Sequence, residues 1–224
     1  MPMIAIDGPV ASGKSAVGRR AARRLGYRFL DTGWMYRAVT WAAIHRQVNI
    51  LNEDALTHLT HHIQMELVPG KDNGDRLVLD GIDMTDHLRD HDVQCHVSPV
   101  SAVRGVREAL VAQQRSIASK GSIVMVGRDI GTVVLPDAEV KVFLTASLDI
   151  RARRRYEEVR AGGVTYEEVV ADLLRRDKID SERAESPLRQ AGNAVLIETD
   201  RLTVDEIVDR IMGLARVKTA NEIP

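Results

Sequence analysis

Residues 3–15 read MIAIDGPVASGKS. The apolar run Met3–Ile6 has the length and content of a buried strand. Lys14–Leu25 has helical spacing, with Val17, Ala21 and Leu25 on one face and Gly26 as its stop. Between them Gly8–Ser15 fits G-x-x-x-x-G-K-[ST] without a gap, and the strand before and helix after are the setting that gives this pattern its meaning. Gly8 and Gly13 let the backbone turn tightly enough for successive N–H groups to converge on phosphate oxygens, and the helix start adds unsatisfied N–H groups and the positive end of its dipole. Lys14 supplies a point charge for the β- and γ-phosphates, and Ser15 a hydroxyl for Mg²⁺. The stretch predicts a nucleoside triphosphate site at Gly8, Pro9, Val10, Ala11, Ser12, Gly13, Lys14, Ser15 and Ala16.

Working outward, short apolar runs alternate with amphipathic segments. Strands are expected at Tyr27–Leu30, Ile123–Val126, Val140–Leu144 and Ala194–Ile197. Helices are expected at Trp34–Arg46, Glu53–Gln64 with Asn52 as N-cap, Val103–Lys120, Leu148–Ala161, Thr165 to about Lys178, and Thr203 to about Arg216. Strands alternating with helices predict a three-layer α/β fold with a mostly parallel sheet covered on both faces. The alternation is interrupted once. Gln64–Val68 and Arg76–Asp80 read as a hairpin around the turn-rich stretch 69–75, so residues 60–98 read as an inserted subdomain between core segments 1–59 and 99–218. The tail after Lys218 is expected to fray.

Composition narrows the class. The 224 residues carry 31 basic and 32 acidic side chains, a balance that argues against a protein that coats nucleic acid. Aromatics are 4 %, so the core has to be aliphatic. The single cysteine, Cys95, allows no internal disulfide and is expected buried or half-buried. There is no long apolar run and no basic, small-residue leader pattern, which predicts a cytoplasmic protein with no membrane partner. His58, His61 and His62 share a helix but lack a completing carboxylate or thiol, and read as a solvated face.

Three clusters suggest a second anion site. Asp31-Thr32-Gly33-Trp34-Met35-Tyr36-Arg37 begins a helix at the strand-end rim where open parallel sheets bind ligands. Asp31 there is a candidate, with Ser15, for holding Mg²⁺. Gly127-Arg128-Asp129-Ile130-Gly131-Thr132 follows a buried strand. Arg175, Arg176, Lys178 and Arg183, with Arg151, Arg154 and Arg155, lie on two helices joined at Gly162-Gly163, the makings of a charged lid over 150–185.

The segments Ile4–Ser15, Phe29–Arg37 (FLDTGWMYR), Val97–Arg107, Gly127–Ala138 (GRDIGTVVLPDA), Lys141–Arg155 (KVFLTASLDIRARRR) and Arg175–Leu188 resemble the bacterial cytidylate kinase family, in its order and close to its spacing. The resemblance implies a nucleoside-monophosphate-kinase fold with an enlarged monophosphate-binding insert and a lid, phosphorylating CMP and dCMP with ATP and Mg²⁺. Carried over by motif, Thr32, Tyr36 and Arg37 border the CMP site, and Ser98, Arg107, Arg128, Asp129, Arg176, Asp180 and Arg183 bind CMP. Arg37, Arg107 and Arg128 clamp phosphate; Ser98, Asp129 and Asp180 take the cytosine edge and ribose hydroxyls; Arg151 and Arg155 belong to the lid on the ATP side. Lys14, Arg128, Arg151 and Arg155 are then the catalytic set, in a monomer. Three positions depart from the family pattern: Val126 replaces an acid, Trp34 replaces a small residue and is expected to reshape the monophosphate site, and Val10-Ala11 replaces a smaller pair. The readings left open are the same fold with UMP, AMP or a non-nucleotide acid as acceptor, and a nucleotide-binding switch without turnover.

Overall fold

The computed structural model describes residues 1–70 and 75–221. In chain order the elements are β1 (Met3–Asp7), α1 (Lys14–Leu25), β2 (Arg28–Asp31), α2 (Thr32–His45), α3 (Glu53–His62), β3 (Met65–Pro69), β4 (Asp75–Leu79), β5 (Ile82–Asp83), α4 (His91–Ala102), α5 (Arg104–Ala118), β6 (Ile123–Gly127), β7 (Val140–Thr145), α6 (Leu148–Val159), α7 (Tyr166–Glu182), β8 (Val195–Glu198) and α8 (Val204–Asn221). The main sheet has the order β2-β6-β1-β7-β8 with every pair parallel.

Strand alternation sorts the core onto the two faces of this sheet. Ala5, Leu30, Ile123 and Met125 face α2, α3 and α5, where Ala38, Ala42, Leu56, Val106 and Leu110 complete an aliphatic layer. Ile4, Ile6, Val124, Val126 and Val142 face α1 and α8, against Val17, Ala21, Ile207, Val208 and Ile211. All five residues of β6 are buried, as a strand covered on both sides requires. Each fully buried Val or Ile contributes about 1.5–3 kcal/mol. Among the described residues, no helix is long and apolar enough to cross a membrane.

The expected hairpin pairs antiparallel, Met65 opposite Leu79 through Pro69 opposite Asp75, and its expected tip at residues 71–74 lies outside the described residues. A short third strand, β5, extends it. Helix α4 was not foreseen, because Pro99 inside it and its run of His and Asp hide the period. Helix α7 continues to Glu182, one turn past the expected end. Helix α8 reaches Asn221, where fraying after Lys218 was expected. Cys95 is exposed on α4, contrary to the buried or half-buried position expected.

The pair α6–α7 has its own small apolar cluster, Ala152, Val169 and Leu173, resting on Val10 and Ala11. Thr165 and Glu168 form the expected capping box that starts α7. Between the two helices the chain turns through Gly163 at φ 78, a conformation glycine adopts without strain.

Candidate active site

The loop after β1 is dictated by sterics. A Cβ at Gly8 would lie 2.1 Å from the Leu144 carbonyl oxygen of β7, so only glycine passes there. Gly13, at φ 93, precedes α1 as its N-cap. The buried Lys14 ammonium donates to the Pro9 carbonyl at 2.5 Å and lies 3.3 Å from Ser12 Oγ. Burial, then the Arg128 charge, hold it well below the usual lysine range. Ser15 Oγ donates to Asp31 Oδ2 at 2.5 Å, while Asp31 Oδ1 accepts from Gly33 N at 3.0 Å and caps α2. Thr32 Oγ1 donates to the Val126 carbonyl at 3.0 Å, and a Cβ at Gly127 would lie 2.6 Å from that hydroxyl. The ends of β2 and β6 are thus stitched together beside the loop.

Opposite stands a wall of guanidinium groups, each fixed by a carboxylate or carbonyl. Arg107 is paired with Asp129, both nearly fully buried, and its other nitrogen donates to the Ser101 carbonyl at 3.2 Å. Its guanidinium sits 5.4 Å from the centre of the Tyr36 ring. Arg128 Nε donates to Asp180 Oδ2 at 2.7 Å. Arg183 reaches both carboxylates, 4.0 Å from Asp129 and 3.7 Å from Asp180. Arg176 donates to the Gln94 carbonyl at 3.0 Å and pairs with Asp172 at 2.8 Å.

Burial, with like charge added to it, lowers Arg37, Arg176 and Arg183, whereas nearby groups, Asp129 and Asp180 among them, hold Arg107 and Arg128 above the usual range against burial. Burial pushes Arg37 down to about 10, and Arg176, Arg128 and Arg155 add to that against Asp31. Burial, then Arg107, lowers Arg183 in the same sense. Burial also lifts the Tyr36 hydroxyl to about 12. Desolvation opposes ionisation of Asp180, but Arg128 and Arg183 hold its carboxyl below the usual range.

Loop and wall face one cleft of about 270 Å³. It brings together Val10, Ala11, Gly13, Lys14, Ser15, Ala16, Asp31, Thr32, Tyr36, Arg37, Ser98, Arg107, Arg128, Asp129, Arg155, Arg176, Asp180 and Arg183 of the sequence candidates. Seven basic side chains line it against four carboxylates, a surplus that suits polyanions.

Gly8, Pro9, Ser12 and Arg151 are not part of its wall. For Arg151 this corrects a contact read as direct. The side chain is buried, donating to the Val10 carbonyl at 3.3 Å and to the Ala146 carbonyl at 3.2 Å, and pairing with Asp177 at 2.7 Å. It ties the loop to α7 from behind. Arg154 likewise turns away, to Thr199 Oγ1 at 2.9 Å, and that hydroxyl in turn donates to the Ser12 carbonyl at 3.3 Å. Arg153, Arg160 and Arg175 point outward into pairs with Asp149, Glu157 and Asp172 three or four residues away.

The sequence missed Val97, Ser101 and Glu158 as lining residues, and offered Gly33 and Gly127 only as members of their clusters. Val97 and Ser101 went unseen with α4. Glu158 was readable only as the partner of Arg155, which it meets at 2.9 Å. Two departures from the family pattern point away from the cleft. Trp34 packs edge-on against Phe29 at 5.6 Å under the Arg19 guanidinium, so it does not reshape the monophosphate site as expected. Val126 is buried in the core beside Gly18. Among the described residues no group of three His, Cys, Asp or Glu could hold a metal, the three histidines of α3 included.

A phosphate loop facing an arginine wall across the rim of a parallel β2-β6-β1-β7-β8 sheet defines a P-loop phosphotransferase. Residues 4–217 match the family model described as cytidylate kinase, and the chain belongs to that family. It is 45 % identical over 218 residues to the cytidylate kinase of Bacillus subtilis (strain 168), covering 96 % of this chain and 97 % of that one. It is 47 % identical over 215 residues to that of Anoxybacillus flavithermus, covering 95 % of each. A crystal structure of an uncharacterized protein from Eubacterium ventriosum shares the fold, with a TM-score of 0.55 at 16 % identity over 96 % of this chain and 98 % of that one.

Proposed function

We propose that the chain transfers the γ-phosphoryl group of ATP to CMP and dCMP, giving CDP and dCDP, by in-line displacement within the single cleft. The observation that carries the mechanism is the surplus of basic side chains on two walls around one space. The acceptor oxygen belongs to a phosphate already anionic at neutral pH, so no strong general base is required. The work is positioning and charge neutralisation.

The backbone N–H groups of 10–16 and the Lys14 ammonium hold the donor's β- and γ-phosphates, on a turn shaped by Gly8 and Pro9. Arg37, Arg107 and Arg128 hold the acceptor phosphate, with Arg107 and Arg128 each keeping N–H groups beyond those the paired Asp129 and Asp180 use. Ser98, Asp129 and Asp180 select the base and ribose, with Thr32, Tyr36, Arg176 and Arg183 around them. Arg155 approaches the transferring group from the lid, and Arg151 acts through Val10 and Asp177 as a positioning residue. Ser15 Oγ and Asp31 Oδ2 are hard oxygen donors 2.5 Å apart at the loop's mouth, which fits Mg²⁺, an ion that takes one or two protein ligands and completes its shell with water and phosphate. Bound there, the ion would neutralise charge on the β- and γ-oxygens.

Residues 60–98 serve as the acceptor-binding insert. Residues 150–185 serve as the lid, whose small apolar cluster is suited to opening and closing. The working unit in this reading is a monomer, acting in the cytoplasm on free nucleotides without nucleic acid or membrane.

A coupled assay with ATP, Mg²⁺ and CMP, dCMP, UMP or AMP tests this. CMP and dCMP should exceed the other two in kcat/KM by about 10²-fold or more, since a site built to hydrogen-bond one base edge leaves buried groups unpaired with another. Preference for UMP or AMP would refute the acceptor assignment, and binding of ATP without transfer to any of the four would refute catalysis.

A further inference from the structure

We propose that Asp7 is a positioning residue, which caps the acceptor turn from a distance and so frees Asp129 to face the acceptor nucleotide; this rests on the acceptor assignment above. Asp7 ends β1, its backbone paired in register with Gly127 of β6 and Phe143 of β7. Its side chain crosses to the segment beyond β6. Oδ1 accepts from Ile130 N and Oδ2 from Gly131 N, both at 2.8 Å.

Those are the first N–H groups of the wide turn Ile130–Val134. Such groups have no partner within a turn and are usually satisfied by the residue just before it. Here that residue is Asp129, an amino acid well suited to the task, yet its side chain makes no capping bond. Its carboxylate is engaged by Arg107 and faces Arg183 in the cleft. Only its carbonyl takes part in the turn, accepting from Val133 N at 2.8 Å. A residue more than 120 positions away thus does the capping. Asp7 also immediately precedes Gly8, so one side chain joins the donor loop's root to the acceptor turn.

The neighbourhood is tight and charged. Asp7 is 4 % exposed. Burial pushes its carboxyl up to about 6, the two N–H bonds oppose that, Asp129 adds to it and Lys14 opposes it. Lys141 of β7 packs on the far side of Gly131, where an added Cβ would stand 3.3 Å from both Asp7 Oδ2 and Lys141 Cδ. Near pH 8 Asp7 is ionised and accepts both bonds. Near pH 5 it is protonated and loses an acceptor. The folded protein binds this proton more tightly than the unfolded chain, so on this group's account stability falls as pH rises from the ordinary Asp range through about 6.

The test compares Asp7→Asn with the wild type, measuring KM for CMP, KM for ATP and kcat from pH 5 to 8. The amide presents an NH₂ to one of the two N–H donors. At pH 8 the variant should raise the CMP KM about 10-fold and the ATP KM less than about 2-fold, an effect of the size expected for one lost charge-assisted bond. The phosphate of CMP titrates in the same range in both proteins, so the readout is their KM ratio, which should shrink toward one at pH 5. Gly131→Ala leaves Asp7 in place but crowds Oδ2, and should give the same signature at about 3-fold if Asp7→Asn folds poorly. Equal shifts in both KM values, or a ratio independent of pH, would overturn the inference while the wild type still turns CMP over. A wild type inactive on CMP would instead overturn the function itself.

Discussion

The two walls of the cleft hold the same kind of ligand by opposite means. The donor side is one continuous loop whose work is done mainly by backbone N–H groups, with glycine where a carbonyl passes 2.1 Å from any Cβ. The acceptor side is assembled from side chains of α2, α4, α5, α7 and the turn after β6, and its guanidinium groups are fixed by paired carboxylates. Backbone donors are set by local geometry and tolerate varied side chains, as Val10 and Ala11 show. Side-chain donors depend on residues far apart in sequence and on the partners that hold them. The donor loop is therefore robust to side-chain change, and the acceptor wall is where specificity resides.

The contrast breaks first at Lys14, a donor-side residue whose side chain acts. Lys14→Ala should lower kcat by about 10³-fold with an unchanged melting profile, because it removes a charge aimed at the transferring phosphoryl group. Steady-state kinetics with near-normal kcat would remove Lys14 from the mechanism. Arg128→Ala should raise the CMP KM about 10²-fold and leave the ATP KM within about 2-fold, while stability falls because Asp180 keeps its burial without its closest partner. Equal effects on both KM values would mean that the two walls are not separate.

Much of this was legible, and unevenly. The loop was readable because its eight positions are contiguous and flanked by a strand and a helix. The members of the arginine wall were readable from local clusters and from the family resemblance, but their partners were not. Nothing in the spacing of Arg107 and Asp129, or of Arg128 and Asp180, says that they pair. Arg151 was given to the lid's ATP side by its charge run and by the family resemblance, and only packing separates a guanidinium held by Val10 and Asp177 from one that faces a ligand. Helix α4, with Val97 and Ser101, was hidden by Pro99, which sits inside a helix whose neighbours α2, α5 and α7 override local propensity, and Ser98 was reached only through the family resemblance.

The smallest effect sharpens the comparison from outside the cleft. Arg153 and Arg175 belong to the same charge runs but pair with Asp149 and Asp172 on exposed faces. Replacing either with Ala should change kcat and both KM values by less than about 2-fold and stability by no more than about 0.5–1 kcal/mol in thermal denaturation. A large kinetic loss from either would extend the lid's working surface beyond Arg155.

The claim beneath all of this is that donor and acceptor phosphates meet in one space. Calorimetric titration with adenosine and cytidine joined through five phosphates measures it directly. One equivalent should bind, about 10²-fold or more tighter than ATP or CMP alone, because the second half binds at high effective concentration. Two equivalents binding independently, or an affinity no better than that of ATP, would contradict it.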